Sequence, residues 1–288
     1  MPTPTQSQSD ARAFVHSVWA KSAEPWTARA DEIDVRSAEV TARMLAGVAL
    51  QRGDAVVDLA AGPGGAGLAA ADAIGADADV LISDVVPAMV EAAAQRIAAR
   101  GLTAARAAVI DIEDIDLADQ SFDVVLCREG LMFALDTRRA LSEMFRILRP
   151  NGRVAIAVWG PRAANPWLGV LLDCIEEVTG LVLPPPGMPG PLALSDTHEL
   201  VARFTDTGFV DITTDTVSVP LYSDSFDAWW TRNLTVAGPV VGVVNGLDAE
   251  TRSRLRTRLQ AAVAPYTRAD GALELPGVAV VLTARRSQ

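Results

Sequence analysis

Five short runs rich in valine, isoleucine and alanine recur along the first 160 residues, with helix-length segments set between them. They read "DAVVDLA" (54–60), "ADVLISD" (78–84), "ARAAVID" (105–111), "FDVVLCR" (122–128) and "GRVAIAVW" (152–159). Helices are expected over 65–74, 87–100 and 136–148, the second starting at Pro87, whose ring suits a first helical turn. Strands that alternate with helices of this length specify βαβ units and a parallel sheet covered on both faces. The runs are continuously apolar rather than alternating, as burial on both faces requires. An all-helical chain would force Val56–Val57, Val124–Val125 and 154–158 into helices against their propensity. The expected class is therefore α/β, Rossmann-like.

The flanks obey different rules. Residues 1–10 read as a disordered polar tail, and 11–52 as covering helices, one over 11–30 that Pro25 interrupts and one over 35–50. Residues 53–160 form the core just described, and 161–288 complete the same domain with insertions and two last strands. In that final part, "NPWLGVLLDCIEEVTG" (165–180) is an apolar-faced helix. "LSDTHELVARFTDTGF" (194–209) is a second, with Asp196 as cap, Glu199 closing a capping box and Gly208 as stop. "VDITTDTVSVPLY" (210–222) reads as a sixth strand, 225–265 as a helical stretch, and "PGVAVVLTARR" (276–286) as the last strand. The tail breaks the βαβ rhythm, which points to an antiparallel edge and a lid.

Charge narrows the partners. With 36 acidic against 25 basic residues the net charge is −11, and Lys21 is the one lysine. A diffusely acidic surface repels a phosphate backbone, so nucleic acid is not expected as a partner. Cys127 and Cys174 are too few for a disulfide scaffold or a metal cluster, which fits a reducing cytoplasm. The N-terminus "MPTPTQSQSD" lacks signal-peptide character, and no apolar stretch reaches the roughly 20 residues a bilayer requires. A cytoplasmic monomer or homodimer without stable membrane association is expected.

The turn after the first strand, "VVDLAAGPGGAGLAAADAIG" (56–75), carries the chemistry. Gly62, Gly64 and Gly67 satisfy the spacing G-x-G-x-x-G, and Asp84 ends the second strand twenty residues past Gly64, as in a dinucleotide site. Asp58, just before the turn, would repel a pyrophosphate but suits a ligand with a cationic amino group or sulfonium. Pro63 removes a backbone donor from the anion nest. Both readings place a nucleoside at this turn.

From about residue 50 to 160 the chain resembles the class I S-adenosylmethionine-dependent methyltransferases, in particular the small-molecule branch that includes the ubiquinone/menaquinone-biosynthesis type. "VVDLAAGPGG" resembles the first motif, "LISDVVPAMVEAA" the second, "VIDIEDIDLADQSFDVVLC" the third and fourth, and "MFRILRPNGRVAIAVW" the helix-turn-strand into strand five. The resemblance implies a seven-stranded, mostly parallel sheet with an antiparallel last strand, helices on both faces and helical lid insertions. It implies that Asp58, Ala60, Gly62 and Gly64 line the methionine end of S-adenosyl-L-methionine, and that Asp84 binds its ribose. Val85 and Met89 would flank adenine, Asp111 and Ile112 would read its edge, and Cys127 would also contact the cofactor. Ala60 replaces the commoner glycine, which is harmless if its φ is negative. The acidic residues Glu113, Asp114 and Asp116 could form a merely solvated loop, and Asn151–Gly152 a tight turn.

Methyl transfer needs alignment and exclusion of water, and a base only if the acceptor must lose a proton. His16 on the N-terminal helix and Glu129 just past strand four are the candidates, with His198, Tyr222 and Tyr266 behind them. Trp19, Trp26, Trp159 and Trp167, with Tyr222, are candidate walls for an apolar, aromatic or quinone-like acceptor, a character that "LVLPPPGMPGPLAL" (181–194) and "VAGPVVGVVNGL" (236–247) also suggest. No metal site is expected. The alternatives are an NAD(P)-dependent oxidoreductase and a catalytically inactive nucleoside-binding regulatory protein.

Overall fold

A computed structural model describes residues 6–75, 79–185, 187–236 and 239–288. Its strands are β1 (Ala55–Asp58), β2 (Asp79–Asp84), β3 (Ala105–Val109), β4 (Phe122–Arg128), β5 (Leu148–Trp159), β6 (Phe209–Ser218), β7 (Leu221–Ser223), β8 (Leu273–Leu275) and β9 (Val278–Arg286). Seven of them form one sheet in the order β3-β2-β1-β4-β5-β9-β6. β1 pairs in parallel with β2 and β4, and β4 with β5, while β9 runs antiparallel between β5 and β6. This is the expected mostly parallel sheet with an antiparallel last strand. The chain winds outward from β1 through β2 to β3, then crosses back to β4 on the other side of β1. That reversal opens a crevice above the carboxyl ends of β1 and β4, where α/β sheets bind ligands.

The helices are α1 (Gln6–Ala28), α2 (Ala30–Arg36), α3 (Ala38–Gly47), α4 (Gly65–Ile74), α5 (Pro87–Ala99), α6 (Thr137–Ile147), α7 (Pro166–Thr179), α8 (Thr197–Thr207), α9 (Phe226–Val236), α10 (Pro239–Asn245) and α11 (Ala249–Ala262). Every residue of β1 is buried, as are Val80, Val124, Val125 and Val154–Val158, so the valine runs form the floor of the main core. Asp136 caps α6 by accepting from the Arg139 N–H at 2.9 Å. Asp196 caps α8 through His198 and Glu199 N–H, and Gly208 at φ +103° stops it. The Glu199 carboxylate does not close the capping box; it pairs with Arg203 at 2.6 Å.

Several expectations need correcting. Of the tail expected over 1–10, residues 1–5 lie outside the described residues, and α1 already begins at Gln6. Pro25 does not interrupt α1, which runs on to Ala28; the carbonyl that loses its donor belongs to exposed Lys21, where water can replace the bond. The helix expected over 35–50 is two, α2 and α3, joined at buried Ser37. The sixth strand stops at Ser218 because Pro220 has no N–H for the ladder, and β7 instead pairs with β8 in a separate two-stranded sheet. The helical stretch 225–265 divides into α9, α10 and α11, and part of the 181–194 and 236–247 insertions lies outside the described residues.

These insertions build a second interior. Leu168, Leu171 and Ile175 of α7 pack with Trp229, Val244, Leu255 and the β7–β8 leucines, apart from the main core. Asn165 clasps the two halves. Fully buried, its amide donates to the Gly160 and Val278 carbonyls, both at 3.0 Å, and its Oδ1 accepts from the Val278 N–H and Trp167 Nε1, both at 2.9 Å.

Candidate functional site

A cavity of about 1030 Å³, the space at its mouth included, lies above the crevice. Its floor is the β1 turn (Ala60–Pro63) and its two ends are the heads of β2 and β3 on one side and of β4 on the other. α1 roofs it with Arg12, Val15, His16, Trp19 and Trp26.

The turn is built from inside. Ala61 N–H donates to the Ser83 carbonyl and Gly62 N–H to Asp84 Oδ2, both at 2.8 Å; Pro63 has no N–H, and Gly64 N–H returns to the Ala61 carbonyl at 2.9 Å. The backbone donors from 61 to 64 are thus spent within the protein, so this loop offers no nest for a pyrophosphate. Gly62 (φ +55°) lines the cavity, and Gly64 (φ +93°) lies beneath it as the cap of α4 with Ile82 against its Cα. Ala60 has φ +51°, so the condition under which alanine would be harmless is not met.

Asp58 does not face the ligand space as the turn alone suggested. It is fully buried, and its Oδ2 accepts from the Gly67 N–H at 2.6 Å, because α4 begins at glycines that have no side chain to satisfy its first turn. Its Oδ1 has no partner. Burial drives its pKa up to about 7, against the pull of Arg128 and the Gly67 N–H. Cys127 is likewise sealed beneath Gly130, and burial pushes its thiol to about 12.

The β2 end is polar and specific. Half-buried Asp84 accepts from Gly62 N–H and, at 2.9 Å, from Val86 N–H, which leaves each oxygen one more acceptor position. Burial raises its pKa against those bonds. Val85 and Met89 stand beside it, and Trp19 and Trp26 pack on them from α1. The two rings meet edge to face at 5.6 Å, and Trp19 meets Phe133 in the same way at 4.8 Å. At the head of β3, Asp111 and Ile112 line the cavity. Asp111 Oδ2 faces His16 Nε2 at 3.5 Å and Arg12 at 3.7 Å. His16 thus sits at the end farthest along from Glu129, where it can orient a ligand edge.

Sequence reasoning missed the residues that hold the roof. Arg12 pairs with Glu113 at 2.6 Å, and Glu113 is buried, taking the Leu135 N–H at 2.7 Å on its other oxygen; of the acidic loop only Asp114 and Asp116 are solvated. Asp34 and Arg128 were missed too. Arg128 donates to Asp34 at 2.9 Å and to Thr41 at 2.8 Å, and Asp34 also holds Arg96 at 2.6 Å. Only Arg128, next to Glu129 at a strand end, carried a positional signal.

Glu129 occupies the β4 end. It lines the cavity at φ +59°, unusual outside glycine, and its Oε1 is shut from solvent without a partner. Burial raises its pKa, opposed by Arg128 and Arg36. Trp159 and Trp167 do not line the cavity as expected; they meet edge to face at 4.8 Å with the Arg36 guanidinium over both rings. Tyr222 is exposed on β7, its hydroxyl 3.4 Å from Glu274.

Residues 56–152 match the family model described as a methyltransferase domain. The sheet order, the crevice and that match agree. This is the class I methyltransferase fold. The YcgJ protein of Bacillus subtilis is similar over 86% of this chain and 98% of its own, at TM-score 0.58 and 19% identity. Phosphoethanolamine N-methyltransferase 2 of Haemonchus contortus, solved in complex with S-adenosyl-L-methionine, is similar over 87% of this chain and 53% of its own, at TM-score 0.55 and 18% identity. In sequence, the ubiquinone/menaquinone biosynthesis C-methyltransferase UbiE of Idiomarina loihiensis is 32% identical over 108 residues, 37% of this chain and 43% of that protein. The chain therefore spans under half the length of that curated relative. No helix of the described residues is long and apolar enough to cross a membrane.

Proposed function

We propose that this methyltransferase-fold chain transfers the methyl group of S-adenosyl-L-methionine to an apolar, aromatic or quinone-like small molecule. The observation that carries the reading is one cavity bounded by Asp84 and Asp111 at one end and by Glu129 at the other, under an aromatic roof. The residues fit the donor. Asp84 keeps acceptor positions for two ribose hydroxyls, the pair Asp111–Ile112 stands where an adenine edge would be read, and Val85 and Met89 offer apolar faces to the base.

When bound, the donor supplies an electrophilic methyl group whose departure leaves a neutral thioether. The chain does the rest. Trp19, Trp26 and Phe133 exclude water from above, Ala60–Gly62 hold the floor, and Glu129 takes a proton from an acceptor that must lose one. Titration calorimetry with S-adenosylhomocysteine tests the reading: saturable binding to one site is expected, and a flat trace overturns it. An NAD(P)-dependent oxidoreductase is disfavoured by the spent N–H groups of the turn, and measurable NAD affinity would reverse that ranking. A nucleoside-binding regulatory role predicts donor binding with no methyl transfer to any phenol, quinone, amine or acid.

A further inference from the structure

The charged groups that line the cavity can be matched one against another, and a single carboxylate is left over. Arg12 meets Glu113 at 2.6 Å, and His16 faces Asp111 at 3.5 Å. Arg128 meets Asp34 at 2.9 Å and spends its other terminal nitrogen on Thr41 at 2.8 Å. Asp84 is held by two backbone donors, the Gly62 and Val86 N–H groups. Glu129 has no such match. Among the described residues no ion pair reaches it, and its Oε1 is shut from solvent without a hydrogen-bond partner. Arg128 and Arg36 act on it only through space.

An aromatic wall stands one short turn away. Phe133 N–H donates to the Gly130 carbonyl at 3.0 Å, which folds the 3-10 turn Leu131–Phe133 directly onto the residue after Glu129. Trp19 meets Phe133 at 4.8 Å with the ring planes 77° apart, and both rings line the same cavity as Glu129. Other rings of the molecule are already covered by arginines: Arg36 lies over Trp159 and Trp167, Arg256 over Phe226 and Arg286 over Phe145. No cation of the described residues lies over Trp19 or Phe133. An unmatched carboxylate beside uncovered aromatic rings is an environment that a cation completes, by a charge-assisted hydrogen bond and by attraction to the ring faces. An anion finds no free partner, because Arg12 and Arg128 are already paired. A neutral hydroxyl would bond to Glu129 but leave its charge unbalanced.

Resting on the proposed methyl transfer, we infer that the acceptor is a lipophilic amine, which enters as an ammonium held by Glu129 and by the rings of Trp19 and Phe133. Its apolar body lies against Ile33, Ala134 and Leu135, which line the cavity with them. In the transfer, the ammonium passes a proton to the Glu129 carboxylate and so frees the nitrogen's electron pair. That pair forms the bond to the methyl carbon, and the pair of the broken S–C bond stays on sulfur. Passing the proton turns two buried charges into two neutral groups, the direction that a site shut from water favours. The product leaves as an N-methylammonium and Glu129 returns its proton to solvent, so no oxidant or further reactant is needed.

The test uses the full chain saturated with S-adenosylhomocysteine and four probes of similar size: 2-phenylethylamine, 2-phenylethanol, 4-ethylphenol and phenylacetate. In calorimetry the amine is expected to bind roughly ten-fold or more tightly than any of the others. Glu129→Gln should bring the amine down to the level of the alcohol. Phe133→Leu should weaken the amine more than the alcohol, and S-adenosylhomocysteine affinity should stay within about two-fold of wild type in both variants. If S-adenosylhomocysteine binds and the amine binds no better than the alcohol or the phenol, the acceptor class is wrong while the donor reading stands. Tightest binding by phenylacetate overturns it as well, by revealing a cation free to take an anion. If S-adenosylhomocysteine itself does not bind, the functional reading falls first and the inference with it.

Discussion

The methyl of Ala60 occupies the space that Gly130 leaves open: a Cβ on Gly130 would come within 2.6 Å of the Ala60 Cβ. Ala60 holds φ +51° to be there. The two positions are therefore one small-residue contact split across the crevice, and they predict non-additive mutations. Ala60→Gly should stabilise by about 0.5–1 kcal/mol, since the relief of a left-handed alanine exceeds the added chain entropy. Gly130→Ala should destabilise by roughly 1–3 kcal/mol through overpacking, and by less when Ala60 is already glycine. Urea unfolding of the two single variants and the double variant measures the coupling, and strict additivity would refute it.

Asp58 should make stability pH-dependent in an unusual direction for a carboxylate. Its folded pKa, about 7, lies above the ordinary aspartate value, so the folded chain binds the extra proton between roughly pH 4 and 7. Its contribution is full below that window and is lost as pH rises through 7. Asp58→Asn keeps an acceptor for the Gly67 N–H and removes the buried charge. The variant should gain on the wild type between pH 5 and 8, with a ceiling of about 4 kcal/mol. Equal thermal-unfolding profiles at the two pH values would show that Asp58 ionises without penalty.

Arg12→Met should loosen the roof. It leaves Glu113 buried with only the Leu135 N–H, and it unties α1 from the head of β3. Because Arg12 is about a quarter exposed, a loss of roughly 1–3 kcal/mol is expected rather than the larger value for a sealed pair. Amide hydrogen exchange over 6–28 should accelerate, and S-adenosylhomocysteine affinity should drop about ten-fold. Unchanged exchange in α1 would count against the latch.

Asn165→Ala should lower the thermal midpoint by more than any other change proposed. It strands the Gly160 carbonyl, the Val278 N–H and Trp167 Nε1, while the Val278 carbonyl keeps the Gly160 N–H at 2.9 Å. About 2–4 kcal/mol is expected, because unsatisfied buried groups lose their water without gaining a partner. Differential scanning calorimetry gives the value, and a shift under 1 °C would mean that the clasp is redundant.

The five core strands and their parallel sense were legible because they read as short apolar runs rich in valine, isoleucine and alanine, four of them buried on both faces. Gly208 and Asp196 announced the ends of α8 through local chemistry that needs no distant partner. What failed depended on contacts remote in sequence. Asp34 and Thr41 meet Arg128 nearly ninety or more residues away, and Arg12 meets Glu113 a hundred and one residues on. Nothing local at positions 12, 34 or 113 foretells this. Trp159 was expected to face a ligand because it ends strand five, and Trp167 as an aromatic of the insertion, but Arg36 covers both. The orientation of Asp58 depended on glycines that cannot cap their own helix, a need visible in the sequence once α4 is placed.

The two interiors meet at Trp167 and Leu192, which pack against both. Each has its own apolar filling, so side chains inside the α7 and α9–α11 layer can be exchanged without disturbing the valines under Asp84 and Asp111. The cavity over Asp84 and Asp111 is lined by residues 12–135 alone, so such exchanges leave its walls as they are. The chain is thereby divided into a half that carries the cavity and a half that does not, clasped together by Asn165.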